Sequence, residues 1–196
     1  MANILYKHGA KPRDIFKAIP IGDIESVQKF IEDDKQLKLI NKDGNTPLHI
    51  AYIYGNYEIA SMILKTGYID VDKNNSNLTV AMIAAMNNNI TLTNLAMRYE
   101  ADILISDING NGLTPLMYAV FYENYELIWQ IIKYNKHAVF SIDNDASNAF
   151  SYAVACRNKK SCQELLTVGD VMNQTKAKSP LTIAIANLDE DMVNFF

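Results

Sequence analysis

Three histidines, two cysteines and 22 acidic side chains are what this 196-residue chain offers to hydrolytic, nucleophilic or metal chemistry. Such chemistry needs the groups to converge, a nucleophile beside a base and an orienting partner. His8, His49 and His137 lie in three separate parts of the chain and form no metal or catalytic set. Cys156 has no base close by in sequence, and Cys162 falls on the apolar side of its predicted helix. The stretch "DINGNGLTPLMY" matches a calcium loop at Asp107, Asn109, Asn111 and Gly112. Its twelfth residue is Tyr118, where a bidentate glutamate is required, and its ninth is Pro115. "GNG" at 110–112 lacks the lysine of a phosphate loop. The runs Glu32-Asp33-Asp34 and Asp189-Glu190-Asp191 read as solvated charge at a loop and a helix start. The expectation is a chain with no catalytic residue, no metal and no cofactor.

The elements around these residues carry a stronger signal. In "GNTPLHIAYIYGNYEIASMIL" (Gly44 to Leu64), Thr46 can cap a helix and Pro47 suits its first position. Gly44 supplies a positive φ to the preceding turn, and Gly55 ends the helix in a left-handed conformation. The pattern then repeats. Thr79 follows Thr46 by 33 residues, Thr114 comes 35 later, Asn148 another 34 and Ser179 another 31. Upstream, "DIFKAIPIGDIESVQKFI" places Gly22 33 residues before Gly55. A turn and two helices at a period near 33 mark a stacked array. On "DGNTPLHIAYIYGNYEIASMIL" and "GLTPLMYAV" the chain resembles the ankyrin-repeat family, and in-phase spacing extends the likeness over residues 14–196.

The fold expected from this is an all-α repeat, an α-solenoid built as an ankyrin-type stack of helix-turn-helix units with β-turn tips. One domain, 1–196, divides into units near 11–40, 41–73, 74–108, 109–142, 143–173 and 174–196. "ILYKHGA" (4–10) resembles the tail of a preceding unit, and the last unit stops inside its second helix at Phe195 and Phe196. The array is therefore expected to belong to a longer one. A hydrophobic content of 49% is enough for a core shared between neighbours. Net charge −4 with a pI near 5.3 gives no basic footprint for nucleic acid. No apolar run approaches the ~18 residues of a membrane span. Two cysteines make no disulfide framework, and a cytoplasmic or nuclear location is expected. The chain is expected to be monomeric.

With no chemistry in view, recognition falls to surface. The resemblance implies a concave wall of first helices and turn tips that binds a partner protein. The last two residues of each first helix project onto it: Pro20 and Ile21, Ile53 and Tyr54, Met86 and Asn87, Phe121 and Tyr122, Ala155 and Cys156. The tips add Lys42, Asp43 and Asn45, then Asn75, Ser76 and Leu78, then Gly110, Asn111 and Leu113, then Asn144, Asp145 and Ser147. The segment 74–97 carries no Asp, Glu, Lys or Arg, which suits the centre of an interface. Ile53, Met86 and Phe121 suit either wall or inter-repeat packing, whereas Tyr54 and Tyr122 lean toward contact. Trp129, spaced with Ile128, Ile131 and Ile132, reads as packing or convex surface. His49 is expected to hydrogen-bond neighbouring turns, as the family's histidine does.

Departures from the repeat pattern carry their own expectations. Asn88, Glu123 and Arg157 replace the interhelical glycine. Asn88 tolerates the left-handed conformation, but after Glu123 and Arg157 an asparagine follows, so those loops are expected to shift by one residue. Ala146 replaces the turn glycine of the fifth unit, which predicts an irregular turn.

Overall fold

Thr46 ends an extended entry strand of backbone and opens a helix: its hydroxyl accepts from the His49 N–H at 3.4 Å, with Pro47 in the first turn. The same device recurs down the chain. Thr79 accepts from Met82, Thr114 from Met117 and Asn148 from Ser151. Each opens a seven-residue first helix, answered by a second helix after a tight loop. The computed structural model describes residues 11–72, 78–107, 110–169, 179–187 and 189–195. The segment at 4–10, His8, the tip residues Asn75 and Ser76, and Phe196 lie outside them.

Six helix pairs follow in order among the described residues. They are α1 (Ile15–Ile21) with α2 (Ile24–Ile31), then α4 (Pro47–Ile53) with α5 (Tyr57–Lys65), then α6 (Val80–Met86) with α7 (Ile90–Arg98). After these come α8 (Pro115–Phe121) with α9 (Tyr125–Tyr134), α10 (Ala149–Ala155) with α11 (Lys159–Leu166), and α12 (Pro180–Ala186) with α13 (Glu190–Val193). Two short additions were not legible in the period. One is α3 (Asp34–Leu37), capped by Asp33, and the other a 3-10 turn (Lys136–Phe140) capped by Asn135. Among the described residues the only β feature is an isolated antiparallel bridge from Ile142 to Asn148. The all-α helix-turn-helix stack expected from the sequence is what forms.

The interhelical loop is the same in the first five pairs. Gly22, Gly55, Asn88, Glu123 and Arg157 have φ of 71°, 69°, 53°, 57° and 59°. The next N–H then reaches back to the carbonyl of a buried alanine: Asp23 to Ala18, Asn56 to Ala51, Asn89 to Ala84, Asn124 to Ala119, Asn158 to Ala153. This closure leaves one residue no choice but the left-handed region. The expected one-residue shift at Glu123 and Arg157 is therefore corrected. Asn124 and Asn158 cannot take the turn because they cap the second helices, accepting from Leu127 and Ser161 at 3.0 Å each. The irregular turn expected at Ala146 is corrected as well. Ala146 takes φ 56° where Gly44 has 81°, and its N–H meets the Asp143 carbonyl at 3.1 Å as Gly44 meets Asn41 at 3.0 Å.

Stacking fills the core. Each first helix packs on the next, from α1 through α12, and the five alanines that close the loops, with Ala184, are fully buried at that seam. A larger side chain there would force the helices apart. Helix α6 is the join between two halves of the core: Val80, Ala81, Ile83 and Ala84 belong to one half, Met82 and Ala85 to the other. A helix apolar on all sides is a buried helix. Most of the described part of the charge-free stretch is thus core, while Asn87, Asn88 and Thr91 are exposed and Met86 partly so. Phe195 is half-buried against the core.

Candidate functional site

The turn tips are held by carboxylates and amides that point inward. Asn41 accepts from the N–H groups of Asp43 and Asn45 at 2.9 Å each. Asp143 does the same for Asp145 and Ser147 at 2.9 and 2.7 Å, and accepts from the Tyr152 hydroxyl at 2.6 Å. Asp107 takes the Gly112 N–H and the Tyr118 hydroxyl, at 2.6 and 2.8 Å. The calcium-like pattern is therefore turn chemistry: its first carboxylate is buried and occupied by the tip itself. Burial first, then the aspartate contact, raises both tyrosine hydroxyls above their ordinary pKa, so they stay protonated donors. The tip of the fourth unit is two residues longer between Asp107 and Thr114 than between Asn41 and Thr46, which accounts for the spacing of 35.

Neighbouring tips are tied together. His49 bonds Thr46 through Nδ1 at 2.7 Å and the Leu78 carbonyl of the next unit through Nε2 at 2.9 Å. This is the inter-turn role expected of it. Asn144 donates its N–H to the Asn111 carbonyl at 2.9 Å and its amide to Gly110 at 3.2 Å.

The proposed wall residues separate into a groove and a ridge. Asp43, Asn45 and Asn87 rim a groove of about 350 Å³ whose floor is Ile53, Leu78, Ile83 and Met86. Six of these seven were singled out from sequence; Ile83 was missed. It stands four residues after the cap and one helical turn before Met86 and Asn87, so helical spacing would have found it. The ridge is Phe121 and Tyr122, exposed by 53% and 45%, with rings edge to face at 5.3 Å. Tyr54 stands at 55%, and Leu113 is half-buried against the core. Lys42 and Asn111 are exposed on their tips. Ala155 and Cys156 are exposed, Pro20 and Ile21 partly so. A second groove of about 230 Å³ repeats the register, lined by Asp143, Asp145, Ser147, Ser151, Tyr152, Ala155 and Ile183. Sequence reading also missed Leu181 and Ile185, exposed on α12.

Burial pushes the Cys162 thiol up to about 12 and raises Cys156, with Glu123 adding to the second shift. Neither is an activated nucleophile at neutral pH. Among the described residues no three of His, Cys, Asp and Glu group as for a metal ion, and no helix is long and apolar enough to cross a membrane. Trp129 is 48% exposed on α9, with the Lys133 ammonium 4.8 Å from its ring centre, so it stands on the second-helix surface and not in the core.

The chain aligns with proteins far longer than itself. It is 26% identical over 177 residues to the ankyrin repeat protein FPV014 of Fowlpox virus, covering 87% of this chain and 38% of that protein. With FPV024 of the same virus it shares 31% over 104 residues, 52% of this chain and 17% of the relative. With mouse Rabankyrin-5 it shares 28% over 142 residues, 72% of this chain and 12% of the relative. Among solved structures, a chain from the complex of the Bdellovibrio bacteriovorus predatory endopeptidase Bd0816 with immunity protein Bd3460 superposes with TM-score 0.78. That match covers 94% of this chain and 97% of that one at 19% identity, and so speaks for the fold. A family model described as ankyrin repeats in three copies matches residues 15–107 and 69–142. With helix pairs, capped first helices and a histidine bridging consecutive tips already in place, that match makes the chain a member of the ankyrin-repeat family.

Proposed function

We propose that this chain is a non-enzymatic recognition module that binds a partner protein across the wall of first helices and tips. Ankyrin repeats are protein-interaction modules, and the finer reading is where this one binds. The observation that carries it is the groove between the second and third units, with the Phe121–Tyr122 ridge at the same register of the fourth. An apolar floor, an amide and carboxylate rim and exposed aromatics on the same wall match the make-up of interface centres. The net charge of −4 favours a protein over nucleic acid. The same reading takes the chain to be a monomer, working in cytoplasm or nucleus, where its two free thiols stay reduced.

The curated relatives named above extend well past the matched segment, which supports a second reading of context: the array serves as the targeting or regulatory segment of a larger enzyme, channel or effector. Binding would still be its local activity.

The test pairs affinity with unfolding. A partner captured with the intact chain is titrated calorimetrically against Tyr54→Ala, Tyr122→Ala and Trp129→Ala. Each tyrosine variant is expected to lose about 1–2 kcal/mol of binding with little loss of stability. Trp129→Ala, on the second-helix surface, should leave affinity unchanged and, being half exposed, cost little stability. Normal binding by both tyrosine variants alongside loss in Trp129→Ala would move the site to the other side of the stack.

A further inference from the structure

We propose that the groove between the second and third units takes a lysine or arginine side chain of the partner protein. The inference rests on the wall reading above and adds the chemistry of the occupant. The floor, Ile53, Leu78, Ile83 and Met86, is entirely apolar, and Met is a side chain that adjusts to an incoming shape. The rim is rich in acceptors: the Asp43 carboxylate with the side-chain carbonyls of Asn45 and Asn87. No cation lines the groove, and no ion pair among the described residues engages Asp43. Its backbone N–H is bound by Asn41, which fixes the turn and leaves the carboxylate at the mouth. Lys42 shares the tip but not the groove.

An aliphatic stem ending in a donor-rich cation fits both parts at once: methylenes lie on the floor while the head stays at the wet rim. An acidic side chain would meet Asp43 with like charge, and a purely apolar one would strip water from the carboxylate without replacing its hydrogen bonds. The second groove sharpens the choice. Asp145 stands at the same place on its tip, three residues before the cap, but the floor there is Ser151, Tyr152 and Ala155 with Ile183. Its polar groups are already engaged, Tyr152 with Asp143 and Ser151 with Asn148. That groove has the charge, but its bed is smaller and interrupted by Ser147 and Ser151.

The probe is a displayed library of random linear dodecapeptides selected on the whole chain. The most enriched peptide is then synthesised and titrated against wild type, Asp43→Asn, Asp145→Asn, Tyr54→Ala and Tyr122→Ala. The expected consensus places Lys or Arg beside apolar residues. Asp43→Asn should weaken the peptide about threefold to tenfold with unchanged thermal unfolding. Alanine in place of the peptide's cation should cause the same loss and abolish the dependence on Asp43, while Asp145→Asn has no effect. A consensus without a cation, an enriched peptide indifferent to Asp43→Asn, or no enrichment at all would overturn the inference. If such a peptide still loses affinity in Tyr122→Ala, the wall reading stands and only the occupant is wrong. If it ignores Tyr122→Ala and Tyr54→Ala too, both readings fall.

Discussion

The second and fifth units reach the same backbone by different chemistry. The second has Gly44 and Gly55 at its two left-handed positions and a histidine that ties its tip to the next. The fifth puts Ala146 and Arg157 at those positions, and has Ser151 where His49 stands. In compensation Asp143 accepts from the Tyr152 hydroxyl besides the two backbone N–H groups that Asn41 also holds in its unit, and Arg157 reaches Asp189 of the sixth unit at 3.2 Å. Both units share an alanine closing the loop at the buried seam, Ala51 and Ala153. Stacking geometry is thus the invariant, and the polar parts that stabilise it are interchangeable.

The largest effect should come from what the two units share. Ala51→Asp and Ala153→Asp each bury an unpaired carboxylate between first helices and should cost about 3 kcal/mol or more. Chemical denaturation followed by circular dichroism measures both. A benign outcome at Ala153 would show that the fifth unit does not depend on the seam.

Asymmetry should show next at the tips. Asp143→Ala removes a charge-assisted acceptor from two N–H groups and strands the Tyr152 hydroxyl, for a loss of about 2–4 kcal/mol. Asn41→Ala removes a neutral acceptor from two N–H groups and should lose about half as much. Equal losses would mean that the tyrosine contact adds nothing to the fifth unit.

His49→Ala should cost about 1–3 kcal/mol, since Thr46 and the Leu78 carbonyl both lose a buried partner. Ser151→Ala, at the corresponding place, should cost less than about 1 kcal/mol. Its hydroxyl bonds only within its own unit, to Asn148 at 3.0 Å.

Smallest, and opposite in sign, are the turn residues. Gly44→Ala should cost about 1 kcal/mol, the penalty of a Cβ in the left-handed region. Ala146→Gly should stabilise by up to about 1 kcal/mol by relieving that same penalty. Thermal unfolding of both variants would decide it, and a destabilising Ala146→Gly would contradict the left-handed assignment.

Much of this was legible in the residues. Thr46, Thr79, Thr114 and Asn148 cap helices because a short side-chain acceptor beside a free N–H is a local device needing nothing from elsewhere. Glu123, Arg157 and Ala146 misled for the opposite reason. Their intrinsic preference is against a positive φ, and it is overridden by the turn-closing bonds around them, Asn124 to Ala119, Asn158 to Ala153 and Ala146 to Asp143, which the propensity of one residue does not show. The charge-free middle segment misled through composition alone, which is the same for a core helix and for an interface. Of the wall, the residues at the helix ends and tips were found by register. Ile83 and Ile183, each four residues after its cap, were passed over inside apolar helices although helical spacing places them one turn before the wall positions.

Period, helix pairing and caps follow from local rules, since each unit's turn, cap and helix pair need only a few consecutive side chains and their backbone. Groove depth, and which apolar residues remain open to solvent, do not. Ile53 stays 43% exposed while Ile83 is 5% exposed, although both are isoleucines on first helices. The difference lies in position on the helix: Ile83 faces the neighbouring unit's packing and Ile53 the outer end of α4. Burial is a property of what the stack brings opposite a side chain, and no single unit contains that information.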